Sequence, residues 1–398
     1  MFCRLMLGSI VMKKYSLLII AWYANIFHVA EFIRNLKKYN PCVEISLMTI
    51  YKMDSIPEDV KENTSEIIVF KSFSKEIKNR FLRECINIIY FIGNFIRHSK
   101  RKYDIVDIHY ARPQLSYVLH WIKKLSNRIV ITPWGSDVMR VTDKRKIEQL
   151  IKVYSCANFV TIGPDSQIGR QVMEKFNVAC EKMVKLGWGG EFFDYIQENS
   201  VAVSTEDAKD RFGLNGRYVI TCGYNTQREQ RHEDIINAIY SVKDKLPNNL
   251  TLLFPSTYGR SPLSDAYMNQ VKNKGKDLGF DVISVEEHLG MADLLKLRMA
   301  TDIFVHVQTT DAGSRCVMEY VACNKKVVHG SWIKYAYLED YKPSCYFPVD
   351  RLEDLGDCIV KAYKSEIGPL PHAVETIIME RGWKHKMVLW NDFFETLL

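Results

Sequence analysis

One stretch, residues 303–328, constrains the fold of this 398-residue chain more than any other. The apolar run Ile303–Val307 predicts a buried strand, and a polar loop follows it. Helical periodicity then extends from about Arg315 to Cys323, and Val327-Val328 predicts the next strand. Strand, helix and strand in this order form a βαβ unit, which places both strands in a parallel sheet.

Two acids frame the loop and the helix of this stretch. Asp311 precedes the small residues Gly313 and Ser314, and Glu319 lies one to two turns into the helix. Free N–H groups at a helix start bind a diphosphate, and a carboxylate farther along accepts hydrogen bonds from ribose hydroxyls. The alternative is an amphipathic helix whose acids only cap and solvate it.

The same stretch, Asp-Ala-Gly-Ser-Arg-Cys-Val-Met-Glu followed by Tyr-Val-Ala-Cys-Asn-Lys-Lys-Val-Val, resembles the acid-x7-acid signature of retaining GT-B glycosyltransferases, family 4 in particular. That family has Glu where this chain has Asp311, Gly at Asn324 and Pro at Lys326. The resemblance implies an α/β fold of two Rossmann-like domains whose parallel sheets face each other across a cleft. A C-terminal helix would pack back on the first domain.

The chain has room for two such domains of about 200 residues. The polar segment 198–216 is the best candidate linker. We therefore predict an acceptor-binding domain at 1–197, a nucleotide-sugar-binding domain at 198–370, and a returning C-terminal segment at 371–398, with its helical run from Met379 to Leu398.

The N-terminal residues allow two interpretations. Residues 1–27 have the basic start of a signal peptide, but the apolar core is short and no convincing cleavage site follows. We favour Leu17–Ala21 as the first buried strand, with a helix at 28–38 and a strand at 43–48 completing a second βαβ unit. Residues 1–11 would then be a disordered extension.

Charge and cysteine usage limit the class of protein. Residues 1–196 contain 30 Lys and Arg against 19 Asp and Glu, whereas the remainder contains 24 against 28. This asymmetry predicts an anionic partner for the first half, and a membrane surface or lipid pyrophosphate is preferred because no nucleic-acid motif is present. The ten cysteines include no Cys-x-x-Cys pair, which favours reduced thiols in a cytoplasm.

Residues 71–102 combine basic flanks with an apolar run at 81–96. The run is too short for a transmembrane helix, which needs about 20 apolar residues. Two interpretations stay open, a core helix with a solvated basic end and a helix on a bilayer surface.

Two further strand ends supply candidates in the first half. The strand 105–109 ends in His109, and a helix is predicted at 115–124. The strand 129–132 follows and ends in Pro-Trp-Gly-Ser-Asp with Asp137. Ligands bind at the carboxyl ends of strands in open parallel sheets. The second turn resembles the family's Thr-x-His-Gly-x-Asp element, with Trp134 in place of His. Asp137 and His109 are therefore acceptor-side candidates, although a lone histidine is more often a packing residue.

The loop after strand 218–222 contains Gly223, Asn225, Arg228 and Arg231. In the family, cations in this loop clamp the diphosphate, and a guanidinium fork suits that role; two exposed surface arginines are the alternative. The element Pro-Ser-Thr-Tyr258-Gly resembles an inverting GT-B family that transfers 4-acetamido-4,6-dideoxygalactose to a lipid-linked sugar.

The resemblance implies roles for these residues. Glu319 would bind the ribose and Asp311 the transferred sugar or its phosphate, while Arg228, Arg231 and the amides of Gly313 and Ser314 would hold the diphosphate. The full set of predicted donor-binding residues comprises Glu319, Arg228, Arg231, Gly223, Asn225, Tyr258, Gly313, Ser314 and Arg315, with Asp311, Asp137 and His109 as catalytic candidates.

The predicted reaction moves a sugar from a nucleoside-diphosphate sugar to a lipid-linked, lipopolysaccharide or capsular glycan, without metal or cofactor and with retention. The protein would be cytoplasmic and peripheral on the inner face of the membrane, with no nucleic-acid partner. Alternatives are an inverting transferase, a nucleotide-sugar epimerase or phosphorylase on the same fold, and a non-catalytic subunit that has kept it.

Overall fold

A computed structural model describes residues 13–21, 26–50, 53–70, 78–163, 167–311 and 314–398. The chain divides into two compact units: unit 1 comprises residues 1–189 and 383–398, and unit 2 comprises residues 190–382. The predicted N-terminal extension, residues 1–11, lies outside the described residues.

Unit 1 is built on a parallel sheet with the order β3-β2-β1-β4-β5-β6-β7 in the described part of the chain. The strands are β1 (Tyr15–Ala21), β2 (Val43–Thr49), β3 (Glu66–Val69), β4 (Ile105–His109), β5 (Ile129–Thr132), β6 (Phe159–Ile162) and β7 (Met183–Lys185). The helices of its N-terminal part are α1 (Ile26–Tyr39), α2 (Glu58–Asn63), α3 (Arg80–His98), α4 (Leu119–Leu125), α5 (Ser136–Met139), α6 (Lys144–Ser155) and α7 (Gln167–Phe176).

Both faces of this sheet are buried. Along β1, Leu17 and Ile19 pack into one apolar cluster, while Leu18 and Ile20 pack into the cluster on the opposite face. Because a parallel sheet is covered by helices on both sides, its strands are near-continuous apolar runs rather than alternating ones. This is why β1, β2, β4 and β5 were predictable from sequence.

Unit 2 contains the second parallel sheet, with the order β10-β9-β8-β11-β12-β13. Its strands are β8 (Tyr218–Cys222), β9 (Leu250–Pro255), β10 (Asp281–Val285), β11 (Ile303–His306), β12 (Lys326–Gly330) and β13 (Tyr346–Val349). Its helices are α8 (Glu191–Asn199), α9 (Thr205–Asp210), α10 (His232–Ser241), α11 (Pro262–Asp277), α12 (Met291–Ala300), α13 (Arg315–Ala322), α14 (Ala336–Tyr341), α15 (Leu355–Lys364) and α16 (His372–Met379). The predicted α/β architecture of two Rossmann-like domains is confirmed.

The C-terminal helix α17 (Trp383–Leu397) belongs to unit 1. Its buried Trp383 and Trp390 pack around Phe32 of α1, with ring centroids 5.8 and 4.9 Å from the Phe32 ring. The Trp383 indole donates to Glu31 Oε1 at 2.8 Å, and that of Trp390 donates to the Gly187 carbonyl at 3.1 Å. The predicted packing of a C-terminal helix on the first domain is therefore confirmed.

Three details of the predicted elements are wrong. The helical run expected from Met379 begins only at Trp383, as α17, and Met379 is the last residue of α16, which belongs to unit 2. The helix expected at 115–124 is a 3₁₀ turn, Pro113–Tyr117, followed by the shorter α4. The segment 198–216 is not an open linker, because it contains α9 and buries Ala208 and Leu214.

Candidate functional site

The loops after β8 and β11 are joined at the carboxyl edge of the unit 2 sheet. Gln230 Nε2 donates to Gln308 Oε1 at 2.6 Å, and the Thr309 amide donates to the Glu229 carbonyl at 3.1 Å. Gln230 and Gln308 are both buried. Two strand-end loops are thus fixed side by side where a ligand of a parallel sheet is expected.

Gly223, the first residue after β8, is required by the shape of this junction. Its φ is +66°, and a Cβ there would lie 2.9 Å from Gln230 Oε1 and 3.1 Å from His232 Nε2. A side chain would therefore be strained and would push into two buried neighbours. Asn225 is buried and braces the same loop, because its Oδ1 accepts from the Gln227 amide at 2.8 Å.

The two predicted diphosphate-binding arginines lie at the start of α10. Arg228 is exposed, with its guanidinium 4.3 Å from the centre of the Tyr267 ring. Arg231 has a left-handed backbone, φ 59°, and its guanidinium lies 5.6 Å from the Trp332 ring centre. Stacking on an aromatic ring orients a guanidinium and leaves its N–H edge available for an anion.

Tyr258 follows β9 and contributes through its backbone. Its carbonyl accepts from the Thr226 amide at 3.1 Å and from Thr226 Oγ1 at 3.2 Å, which ties this loop to the one after β8. The Tyr258 ring is 59% exposed, so it is accessible to a ligand.

Asp311 and Ser314 are brought together by a residue that sequence reasoning missed. The Tyr335 hydroxyl donates to Asp311 Oδ2 at 2.7 Å and accepts from the Ser314 amide at 3.0 Å. Ser314 is also the N-cap of α13, accepting from the Cys316 amide, and Arg315 begins the helix. Gly313, predicted to supply an amide, lies outside the described residues.

Glu319 is held by Arg298, which sequence reasoning also missed. Arg298 Nε and Nη2 both donate to Glu319 Oε2, at 3.0 and 2.7 Å, and Arg298 Nη1 donates to the Tyr320 hydroxyl at 3.2 Å. The sequence signal was an arginine between two apolar residues of α12, Leu297 and Met299. Glu319 is thus oriented by a buried ion pair, with Oε2 committed to it.

The loop around α10 also buries His232. Its Nδ1 lies 3.3 Å from the Tyr267 hydroxyl, and burial lowers the pKa of His232 to about 4. A neutral His232 therefore lies beneath the arginine-bearing loop near neutral pH.

In unit 1, the predicted acceptor-side residues follow β4 and β5. His109 is buried and its Nε2 lies 3.1 Å from Asp107 Oδ2, while Asp107 Oδ1 accepts from the Thr132 hydroxyl at 2.8 Å. The His109 ring packs against Trp134 and Trp188, with centroids 6.0 and 5.5 Å away. An imidazole oriented by a carboxylate is suited to packing and to proton transfer alike.

Asp137 braces the turn after β5. Its Oδ1 accepts from the amides of Trp134 and Gly135, both at 2.9 Å. Burial raises the pKa of Asp137 to about 6, although backbone N–H groups oppose the shift by favouring the charged form. The Asp137 carboxyl therefore changes from neutral to charged around pH 6.

Residues 19–163 match the family model described as Glycosyl transferase 4-like. Residues 19–163 are thus similar to a glycosyltransferase domain. No curated protein matches its sequence. Among solved structures, a glycosyltransferase from Rickettsia africae has a TM-score of 0.71 at 13% identity, covering 96% of this chain and 98% of that one.

Two further structures are similar over their full length. Anabaena HepE in complex with UDP and glucose has a TM-score of 0.65 at 11% identity, covering 96% of this chain and 100% of that one. The lipopolysaccharide outer core galactosyltransferase WaaB has a TM-score of 0.62 at 12% identity, covering 96% and 100%. The fold is thus that of GT-B glycosyltransferases. The predicted class of enzyme, a glycosyltransferase, is confirmed.

Proposed function

We propose that this GT-B glycosyltransferase moves a sugar from a nucleoside-diphosphate sugar to a lipid-linked, lipopolysaccharide or capsular glycan. The observation that carries the donor assignment is the start of α13, where Asp311 and the Ser314 amide meet on the Tyr335 hydroxyl. A helix start presents N–H groups and a partial positive charge to phosphate. The complexes of HepE with UDP and glucose and with UDP-glucose support a donor of this class.

In the proposed arrangement, Arg228 and Arg231 neutralise the diphosphate together with the start of α13. Glu319, oriented by Arg298, accepts from ribose hydroxyls through its second carboxylate oxygen. Asp311 accepts from hydroxyls of the transferred sugar. Since fixed cations and amides supply the charge stabilisation, we propose that the transfer needs no metal.

We propose transfer with retention, in which the leaving phosphate takes the proton of the acceptor hydroxyl. Inverting transfer is a second candidate, because the Asp107–His109 pair resembles an oriented general base. The anomeric configuration of the product, measured by NMR, decides between them.

The donor proposal is tested by thermal shift with UDP, GDP, dTDP and CMP sugars. A ligand at 100 times its Kd stabilises the folded state by about 2.7 kcal/mol. We expect one nucleotide class to raise the melting temperature, and the variant Arg228→Gln/Arg231→Gln to lose that rise. Arg217→Gln, which removes an exposed ion pair with Asp281, is the matched control. A shift unchanged in the double variant would contradict the assignment.

We further propose that α3 lies on an anionic membrane. Phe95 of this helix is buried and Phe91 and Ile92 pack beside it, so one face belongs to the core. A second face exposes Leu82, Ile89 and Ile96, which are spaced seven residues apart and 51, 67 and 49% exposed. Exposed cations follow at Arg97, Lys100 and Lys102. An apolar stripe beside cations is the pattern of an interfacial helix.

No helix in the described part of the chain is long and apolar enough to cross a membrane. Co-sedimentation with vesicles tests surface attachment directly. Leu82→Ser/Ile89→Ser/Ile96→Ser, and separately reversal of Arg97, Lys100 and Lys102 to Glu, should each abolish binding to anionic vesicles. Reversal of three exposed lysines of unit 2, Lys342, Lys361 and Lys364, is the matched control. Equal binding by all variants would contradict the proposal.

A further inference from the structure

A chain of buried polar groups lies next to Asp311. His306 Nε2 lies 3.4 Å from Asp311 Oδ2, and His306 Nδ1 lies 3.0 Å from His329 Nδ1. His329 Nε2 lies 2.9 Å from the Ile333 carbonyl oxygen. The two imidazole rings are stacked, with centroids 5.1 Å apart and planes 8° apart, and both are fully buried.

The protons of this chain can be assigned from its two ends, because each end is a backbone group with a fixed role. The Ile333 carbonyl only accepts, so His329 carries its proton on Nε2. Burial lowers the pKa of His329 to about 3, so this ring is neutral and its Nδ1 is an acceptor. The proton in the 3.0 Å contact between the rings therefore belongs to His306 Nδ1.

The other end gives the state of Asp311. The Ser314 amide only donates and occupies the Tyr335 hydroxyl oxygen, so the Tyr335 proton points to Asp311 Oδ2. That oxygen is therefore an acceptor. His306 Nε2 lies 3.4 Å from the same oxygen and makes no hydrogen bond among the described residues. An unprotonated Nε2 would turn its lone pair toward a carboxylate in the interior, where two acceptors repel each other. A proton on His306 Nε2 removes the conflict, and His306 then carries protons on both nitrogens.

We propose that His306 is a buried imidazolium that neutralises Asp311 and positions its carboxylate for the donor sugar. The role of the pair toward the donor depends on the proposed function, whereas the placement of the proton does not. His329 and the Ile333 carbonyl are positioning groups, since they fix the His306 proton on the ring nitrogen that faces away from Asp311.

The chemical reason for such a pair lies in the charge of the donor. The negative charge of a carboxylate beside the start of α13 repels a diphosphate bound there. Paired with an imidazolium, Asp311 keeps its ability to accept hydrogen bonds from sugar hydroxyls while the pair has no net charge. This allows an acid and a diphosphate to share one loop.

The phenols and the thiol that face the pair are neutral near pH 7. Burial raises the pKa values of the Tyr224, Tyr335 and Tyr337 phenols and of the Cys316 thiol, each of which senses Asp311. Two cations act on the same cluster, Lys334 on His329 and Arg381 on Tyr337. Loss of the His306 charge should therefore weaken donor binding.

The proton placement is tested without any donor, by ¹⁵N NMR of the full chain labelled at histidine. We expect His306 to be doubly protonated at pH 7, and His329 to be neutral with its proton on Nε2. Asp311→Asn should render His306 neutral at the same pH, because the amide nitrogen then donates to Nε2. Variants His306→Gln and His329→Gln assign the signals, and the exposed His372→Gln controls for the substitution. A neutral His306 in the wild-type protein would overturn the proposal.

The functional role is tested by donor binding across pH with the nucleotide sugar found by thermal shift. We expect His306→Gln to bind it about tenfold more weakly at pH 7 and without the wild-type pH dependence. Unchanged affinity and an unchanged pH profile would refute the role of the pair. If no nucleotide sugar binds the wild-type protein, the proposed function fails, while the NMR result still decides the proton placement.

Discussion

Replacing Arg298 by Met should destabilise unit 2 severely. Arg298 and Glu319 are 6 and 7% exposed, and two N–H groups of the guanidinium donate to one carboxylate oxygen. Met fills the space of the aliphatic stem but leaves the Glu319 carboxylate buried without its cation. The guanidinium's third hydrogen bond, to the Tyr320 hydroxyl, is lost as well.

The magnitude follows from the cost of an uncompensated buried charge. Removing one partner of a buried ion pair costs about 3–5 kcal/mol, which is a large part of the about 5–15 kcal/mol that holds a domain folded. Removing both charges costs far less, because no unpaired ion remains. We therefore expect Arg298→Met/Glu319→Leu to be more stable than Arg298→Met by about 2 kcal/mol or more.

The assay is urea unfolding combined with hydrogen exchange of peptides from α12 and α13, since two units need not unfold in one transition. Arg217→Met is the matched control, because its ion pair with Asp281 is exposed and is worth at most about 1 kcal/mol. A loss below about 1 kcal/mol in Arg298→Met, or a double variant worse than it, would refute the reasoning.

Three further predictions concern stability. Gly223→Ala should cost unit 2 about 1–2 kcal/mol, because of its positive φ, and should reduce the nucleotide-dependent thermal shift; wild-type behaviour would show that the loop adapts. Between about pH 4 and pH 6, the stability of unit 1 should fall as pH rises, because the folded-state pKa of Asp137 is raised to about 6 and the folded state binds the extra proton. Asp137→Asn should remove this pH dependence of the melting temperature. An unchanged pH dependence in the variant would contradict the assignment. Gly189→Ala should destabilise unit 1 by about 1–3 kcal/mol, because its Cβ would lie 2.4 Å from the Trp383 ring. By contrast, a Cβ at Gly93 of α3 would meet nothing within 4 Å, so Gly93→Ala should stabilise unit 1 by about 0.5–1 kcal/mol. Unfolding curves in urea compare the two variants.

Strands such as β1, β4 and β8 were predictable because burial on both faces leaves a local signature in the sequence, whereas the edge strands β3, β7 and β13 were not predicted. The helix α9 was not, since its segment is polar and its contribution to the core rests on Ala208 and Leu214. A few buried side chains in a polar stretch give no periodicity to detect.

The residues of the candidate site were likewise only partly predictable from the sequence. Asp311, Glu319 and the loop arginines follow strand ends or begin helices, so their approximate place could be predicted. Arg298, His306 and Tyr335 could not, because each acts through a neighbour that only the tertiary fold supplies. Glu319 shows the difference most clearly: its position was predictable, but its ion pair was not.

The return of α17 makes unit 1 a discontinuous domain, interrupted by the whole of unit 2. On the ribosome, the first 189 residues emerge well before Trp383 and Trp390, which fill the space beside Phe32. Unit 2 is continuous in sequence, so its core can form before Trp383 and Trp390 of unit 1 have been synthesised. Nascent unit 1 therefore exposes an apolar surface for the time needed to translate about 200 residues, and exposed apolar surface of this kind favours aggregation.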